Sequence, residues 1–254
     1  MFSIDFGLTR LSNQRSPNIS APWNPTDISA IAWYDVSDVS TLFQDTLQTV
    51  PVVADGDPVA LVLDKSGHSN HLKQSSSAAR PIYRNNGTSQ WLALNGSTQF
   101  LKCTGLTVPS TLSFVIGATV TTIPSTFASL LSMAGTAGFQ IDGGSQSSGF
   151  NFRFNGTDVS ALRPQSTSEF QEAFHAYSIL LNASESLLEG RVDAERAYST
   201  TTYNGALSVT QTLRIFANSA ENQKVSGKFF RFALWGTTDT ADIDAAESWA
   251  LMAE

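Results

Sequence analysis

Charged residues at alternate positions between 189 and 195 form the strongest candidate for catalysis in this sequence. In a strand, Glu189, Arg191, Asp193 and Glu195 would project from one face. Paired carboxylates on one face are what glycoside hydrolysis requires, one as acid and one as base or nucleophile. Arg191 would lower the pKa values of its acidic neighbours, however, which is the wrong direction for a general acid. We therefore predict no catalytic site and keep Glu189, Asp193 and Glu195 as the alternative to a solvated strand face with a hairpin turn.

Metal binding is the second chemistry that the sequence offers. Asp64, His68 and His71 follow the pattern Asp-x-x-x-His-x-x-His, and Asp and His are ligands for zinc and other transition metals. Only His175 remains elsewhere, so a third imidazole would have to come from a distant part of the chain. Calcium could use the carboxylates in the list Asp35, Asp38, Asp55 and Asp57, but no loop has regularly spaced oxygen ligands. We predict no metal and no other cofactor.

Nucleophilic and aromatic side chains are the remaining candidates for a functional site. Cys103 ends an apolar run, which is typical of a small core residue rather than a reactive thiol. No Gly-x-Ser-x-Gly motif is present. Sugar-binding faces stack rings on exposed aromatic side chains, and four aromatic residues near turns are candidates for that role: Trp91, Tyr83, Tyr198 and Tyr203.

Composition excludes several classes of partner. The chain has a net charge of −7, a pI near 4.9 and only 15% charged residues. Without a basic cluster, it is not expected to bind nucleic acid or anionic lipid. No apolar run approaches the roughly 18 residues of a membrane span, and the first residues lack the pattern of a secretory signal. A single cysteine excludes an internal disulfide.

The elements that would position these residues are short strands. Apolar residues alternate at 112–116, 150–154 and 230–234, which predicts half-buried strands. Tight hairpins are predicted at five pairs that favour positive φ, namely Asn86-Gly87, Asn95-Gly96, Asp142-Gly143, Asn155-Gly156 and Asn204-Gly205. One helix is predicted near the C-terminus, capped within 238–240, with Ile243, Ala246 and Ala250 on one face. The spacing of the strands predicts an antiparallel sandwich or barrel, and we expect this helix to close one edge of the sandwich.

The N-terminal residues differ from the rest of the chain. Residues 1–26 are polar and contain three prolines, which block regular structure. We predict an extended arm for docking or assembly, with one domain at 27–254. The apolar residues of the arm would contact a partner, and they are Phe2, Ile4, Phe6, Leu8 and Trp23.

Three stretches, in this order, resemble the laminin-G-like, concanavalin A-like lectin superfamily. They are residues 32–38 with 57–59 and 63–72, then 92–101, then 213–218 with 227–235 and the terminal helix. The resemblance implies an all-β jelly roll, a sandwich of two antiparallel sheets of which one is concave. It also implies that Asp64 belongs to a turn, where it accepts backbone N–H bonds across Ser66 and Gly67. Some glucanases of this superfamily carry Glu-x-Asp-x-Glu, a pattern that Glu189 does not meet because it lies two positions too early.

The pattern of Trp-Tyr-Asp at 33–35, Asp-Lys-Ser-Gly at 64–67 and Asn-His at 70–71 also looks like uncharacterised modules on bacteriophage structural proteins. We therefore predict a non-enzymatic virion protein, a capsid decoration or a tail or fibre component, made in the host cytoplasm. It would be a homo-oligomer or multicopy, bound to itself or to other virion proteins through residues 1–26. Its lectin-like domain would adhere to host-surface glycans. The alternatives are a stand-alone carbohydrate-binding module, with glycan on the concave sheet, and a polysaccharide hydrolase or lyase.

Overall fold

The computed structural model describes residues 23–122, 128–134, 139–143, 150–154, 157–161, 172–200 and 210–253. The predicted arm therefore lies outside the described residues up to position 22. In the described part, strands in two antiparallel sheets lie face to face and one α-helix follows the last strand. This confirms the predicted two-sheet sandwich with a C-terminal helix. None of the described helices is long and apolar enough to cross a membrane.

The described strands, in chain order, are β1 Ala32–Asp35, β2 Leu42–Phe43, β3 Leu61–Val62, β4 Leu72–Lys73, β5 Ile82–Asn85, β6 Gln90–Asn95, β7 Leu101–Thr107, β8 Thr111–Thr122, β9 Ala128–Ala134, β10 Phe139–Gly143, β11 Phe150–Phe154, β12 Thr157–Ala161, β13 Phe174–Asn182, β14 Leu187–Val192, β15 Glu195–Thr200, β16 Thr210–Ile215 and β17 Ser226–Trp235. Helix α1 spans Thr240–Leu251, and short 3-10 helices span Pro25–Ile28, Val39–Thr41 and Ser77–Ala79.

Each sheet draws strands from distant parts of the chain. The first sheet has the order β15-β14-β13-β8-β17-β6-β5, and β1 pairs with the second half of β17 beyond the end of β6. The second sheet has the order β12-β11-β10-β9-β16-β7-β4-β3-β2. The hydrophobic core fills the space between them, where Phe232 stacks at 5.8 Å on both Tyr34 and Phe114.

The C-terminal helix lies on a sheet face and not at an edge, which corrects the sequence prediction. Asp239 caps it by accepting the Ala241 N–H at 2.8 Å. Its buried residues include Ile243, Ala246 and Ala250, as predicted. They pack on the central strands β8, β13 and β17. Because both faces of β8 are covered, residues 112–120 are buried throughout and the strand is not half-exposed.

One of the predicted hairpins is confirmed, at Asn86-Gly87 between the paired strands β5 and β6, where Gly87 adopts positive φ. Gly96 also adopts positive φ, but the turn at Asn95-Gly96 connects β6 of the first sheet to β7 of the second, so the hairpin predicted there is wrong. Asp142 and Gly143 are instead the last two residues of β10, where they pair with both neighbouring strands. The pairs at 155–156 and 204–205 lie outside the described residues. Local turn propensity at 142–143 is overridden by pairing on both sides of the strand.

The packed body of the molecule includes Trp23. Its ring lies 6.3 Å from that of Trp235 and 5.8 Å from that of Trp249. The following 3-10 helix is capped by Asn24, whose side chain accepts the Thr26 N–H at 3.0 Å. Trp23, predicted to bind a partner, thus contacts its own domain. The other four predicted contacts, Phe2, Ile4, Phe6 and Leu8, lie outside the described residues.

Candidate functional site

The three acidic residues considered for catalysis occupy three different settings. Glu189 is buried within β14, while Glu195 is exposed at the start of β15. Asp193 lies in the turn between these strands, where it and Ala194 both have positive φ. Its carboxylate binds His175 Nδ1 at 2.5 Å and the Ala176 N–H at 2.8 Å. The chain therefore turns where a catalytic strand face would have to continue.

Arg191 holds the C-terminal helix rather than a substrate. Its guanidinium lies 2.5 Å from a carboxylate oxygen of Asp244 and 3.1 Å from one of Glu247, both on α1. The Arg191 side chain is 7% exposed and that of Glu247 is 0% exposed. Burial raises the pKa of Glu247, against the lowering effects of a Ser178 hydrogen bond and of Arg191. These charges form a buried contact between helix and sheet.

Asp64 forms the predicted turn. One carboxylate oxygen accepts the N–H groups of Trp33 and Ser66, each at 2.9 Å. The other accepts the Asn70 N–H at 2.9 Å and the Ser66 hydroxyl at 2.7 Å. His71 accepts the Asp64 N–H through Nδ1 at 3.0 Å. The Asp64 oxygens and His71 Nδ1 are thus committed to organising the loop that leads into β4.

The carboxylates considered for calcium are also used by the fold. Asp35 binds Arg231 at 3.2 Å and Asp38 binds Lys65 at 2.6 Å. Asp55 and Asp57 accept backbone N–H groups in the loops before β3 and after β5. Among the described residues, no group of three or more His, Cys, Asp or Glu side chains could hold a metal ion.

The aromatic candidates divide by burial. Tyr83 is 4% exposed and packs in the core, so its ring offers no surface for stacking. Trp91 is half-buried on the first sheet, where the Lys228 ammonium lies 4.9 Å from its ring centroid. The side chains of Tyr198 and Tyr203 lie outside the described part of the structure.

The feature that the sequence analysis missed is a cavity of about 340 Å³ on the second sheet, beside β4 and β7. Helix α1 packs on β8, β13 and β17 of the first sheet and so does not cover the outer face of this one. Most of the residues that line the cavity have polar side chains, and they are Thr46, Ser69, His71, Lys73, Ser75, Lys102, Cys103 and Thr104. The cavity volume falls in the range of small-molecule sites, roughly 300–1,000 Å³, and these side chains favour a ligand with hydrogen-bonding groups.

Hydrogen-bond donors dominate this cavity. Burial and the charge of Lys73 lower the pKa of His71, so its ring is neutral at pH 7. Because Nδ1 accepts a backbone N–H, the proton lies on Nε2, which is then a donor. Two ammonium groups and four hydroxyl groups add further donors. Cys103, as predicted, is buried at 3% exposure, and burial raises its pKa to about 11.

A second cavity, of about 330 Å³, lies beside the start of the described chain. Trp33, Ser66 and His68 line one side of it, and the 3-10 helix that begins at Pro25 lines the other. His68 and His71 therefore belong to two separate cavities, although only three positions separate them in sequence.

The chain resembles solved structures in fold but not in sequence. No protein-family model matches it. No curated protein matches it by sequence. Domain 4 of an extracellular GH43 arabinanase from Geobacillus stearothermophilus, solved with arabinotriose, superposes with a TM-score of 0.59 at 9% identity, covering 86% of this chain and 98% of that domain.

Two larger proteins contain a similar sandwich. The botulinum neurotoxin serotype D ligand binding domain, solved with N-acetylneuraminic acid, gives a TM-score of 0.57 at 9% identity over 89% of this chain and 52% of that one. The Trypanosoma rangeli sialidase gives 0.56 at 11% identity over 87% of this chain. This chain covers 33% of the length of the sialidase. The likeness establishes a β-sandwich fold shared with domains of sugar-binding and sugar-processing proteins.

Proposed function

We propose that this chain is a non-catalytic carbohydrate-binding domain and that glycan binds in the cavity beside β4 and β7. The observation that carries the proposal is the lining of this cavity, in which hydroxyl, imidazole and ammonium donors converge. A sugar is a polyol rich in acceptor oxygens, which these donors match. The setting of Glu189, Asp193 and Glu195 supports binding without hydrolysis, because neither cavity described above is lined by them.

The experiment is a glycan-array screen of the full chain, followed by calorimetric titration of each ligand found. Thr104 is exposed on β7 and lines the cavity, so Thr104→Trp should fill it without adding charge and weaken binding at least tenfold. Thr107→Trp is the matched control, because Thr107 is exposed on the same strand but is not part of the lining. A Thr104→Trp protein that binds like the wild type would place the site elsewhere.

A structural role in a virion stays a second proposal, which rests on the sequence resemblance and on residues 1–26. None of the structures named above is described as a phage protein. Trp23 packs on the domain, so the segment proposed to contact another molecule is residues 1–22. Light scattering should show a multimer for the full chain and a monomer for residues 23–254. Equal masses for both would remove the support for self-assembly through this segment.

A further inference from the structure

A row of cations crosses the outer face of the second sheet at the proposed sugar site. Lys102 on β7 is the register partner of Lys73 on β4 and of Arg214 on β16. Register partners project to the same side of a sheet, and neighbouring strands lie about 4.8 Å apart. The three side chains therefore form a line perpendicular to the strands, which begins inside the cavity at Lys73 and Lys102.

Among the residues that the structure describes, one carboxylate pairs with this row of cations. Glu221 binds Lys102 at 2.8 Å and Arg214 at 3.0 Å. Lys73 has no ion pair among the described residues, although the chain as a whole has a net charge of −7. Like charges facing each other across strands are destabilising. A local excess of positive charge, maintained on an acidic protein at a cost in stability, is a feature expected at a functional site.

The surroundings of Lys73 define what an anion would meet there. His71, two positions before Lys73 in the chain, presents an N–H from a neutral ring. The hydroxyl groups of Ser69, Ser75 and Thr104 line the same cavity. A sugar ring that carries one negative charge and several hydroxyl groups matches an ammonium group with no ion pair among the described residues and several uncharged donors.

We propose that this cavity selects acidic sugars. The Lys73 ammonium binds the sugar carboxylate, and the positive charge of Lys102 adds to the electrostatic attraction. The inference rests on the proposed function, since it names the class of glycan bound at that site. Uronic and sialic acids both carry the required group, and the shared carboxylate is what the cavity would recognise.

Two matched pairs of probes test this inference on the full chain. Trigalacturonate is compared with its methyl ester, and 3′-sialyllactose with lactose, by calorimetric titration at pH 7. At least one acid should bind tenfold or more tightly than its neutral counterpart, and added NaCl should weaken binding of the acid alone. Lys73→Gln should abolish this preference, so that the acid and its neutral counterpart bind with similar affinity. Lys228→Gln, which removes a lysine from the first sheet, should leave the preference intact.

Failure of this inference is distinct from failure of the proposed function. If neither acid binds more tightly than its neutral counterpart, acidic selectivity is wrong, whatever neutral glycans the array reveals. A preference that survives Lys73→Gln also overturns it, because the charge would then lie elsewhere. Carbohydrate binding itself fails only if the array and all four probes give no binding.

Discussion

The outer faces of the two sheets differ in how their charged side chains are paired. On the first sheet, α1 covers the centre, and charges beneath it are paired, as Arg191 is with Glu247 and Arg231 with Asp35. The second sheet is not covered by α1, and there Lys73 faces Lys102 and has no ion pair among the described residues. Buried charges must be paired because desolvation is costly, whereas exposed charges are screened by water. We call the outer face of the first sheet the covered face and that of the second sheet the open face. The covered face therefore contributes to stability, and the open face is available for binding.

The largest expected effect is on the covered face. Arg191→Met would leave Glu247, on the buried face of α1, without its cation, and we expect the free energy of unfolding at pH 7 to fall by about 3–5 kcal/mol. The folded-state pKa of Glu247 is already raised above its ordinary value by burial. Its stabilising effect is therefore complete below the unfolded pKa and is lost as pH rises through the folded one.

Urea unfolding at pH 5 and pH 7 would measure this effect. The loss caused by Arg191→Met should be smaller at pH 5, where protonation removes the unpaired charge from Glu247. Adding Glu247→Gln should restore most of the stability at pH 7, since the amide can still accept from Ser178. A loss equal at both pH values would show that packing, rather than charge, holds the helix.

The next effect tests how the open face is supported. Asp64→Ala removes an acceptor of four hydrogen bonds in the loop before β4. Hydrogen bonds to a charged group contribute about 1.5–3 kcal/mol each and are not additive, so we expect a loss of about 3 kcal/mol. Glycan binding should weaken too, because this loop positions His71 and Lys73.

Asp64→Asn is the matched control, because it keeps one acceptor oxygen. Thermal melts and urea titrations should place it between Asp64→Ala and the wild type. Equal stability of all three proteins would mean that the loop does not depend on this carboxylate.

The covered face could largely be predicted from the sequence, because its signals are local. Asp239 and the spacing of Ile243, Ala246 and Ala250 identify the helix. The position of the helix could not be predicted, since nothing local distinguishes a sheet face from a sheet edge. Glu247 lies four positions after Ile243 and so on the same, apolar face of the helix. This spacing indicates that its carboxylate is buried and needs a cation as a partner.

The arrangement of side chains on the open face could not be predicted from the sequence, because it depends on which strands pair. β4 is only two residues long, Leu72–Lys73, which is too short for alternation to be detected. Lys73 meets Lys102 through strand pairing between distant segments. His71 was considered as a metal ligand, but its Nδ1 is occupied by a backbone N–H, a contact that no sequence pattern specifies.

The smallest expected effect is the one that separates the two faces most clearly. Lys73→Gln removes a charge that faces Lys102 and has no ion pair among the described residues. The free energy of unfolding should stay the same or rise by about 0.5 kcal/mol or less, as for other exposed charges. Added salt should stabilise the wild type slightly more than the variant, because it screens this repulsion.

Lys65→Gln is the comparison that gives this small effect its meaning. Lys65 binds Asp38 at 2.6 Å, so its replacement should cost about 0.2–1 kcal/mol. Urea unfolding of both variants at low and high salt would measure the difference. If Lys73→Gln instead destabilises the protein by more than Lys65→Gln, Lys73 is part of the scaffold. The contrast between a stabilised face and a binding face would then fail at the residue on which it most depends.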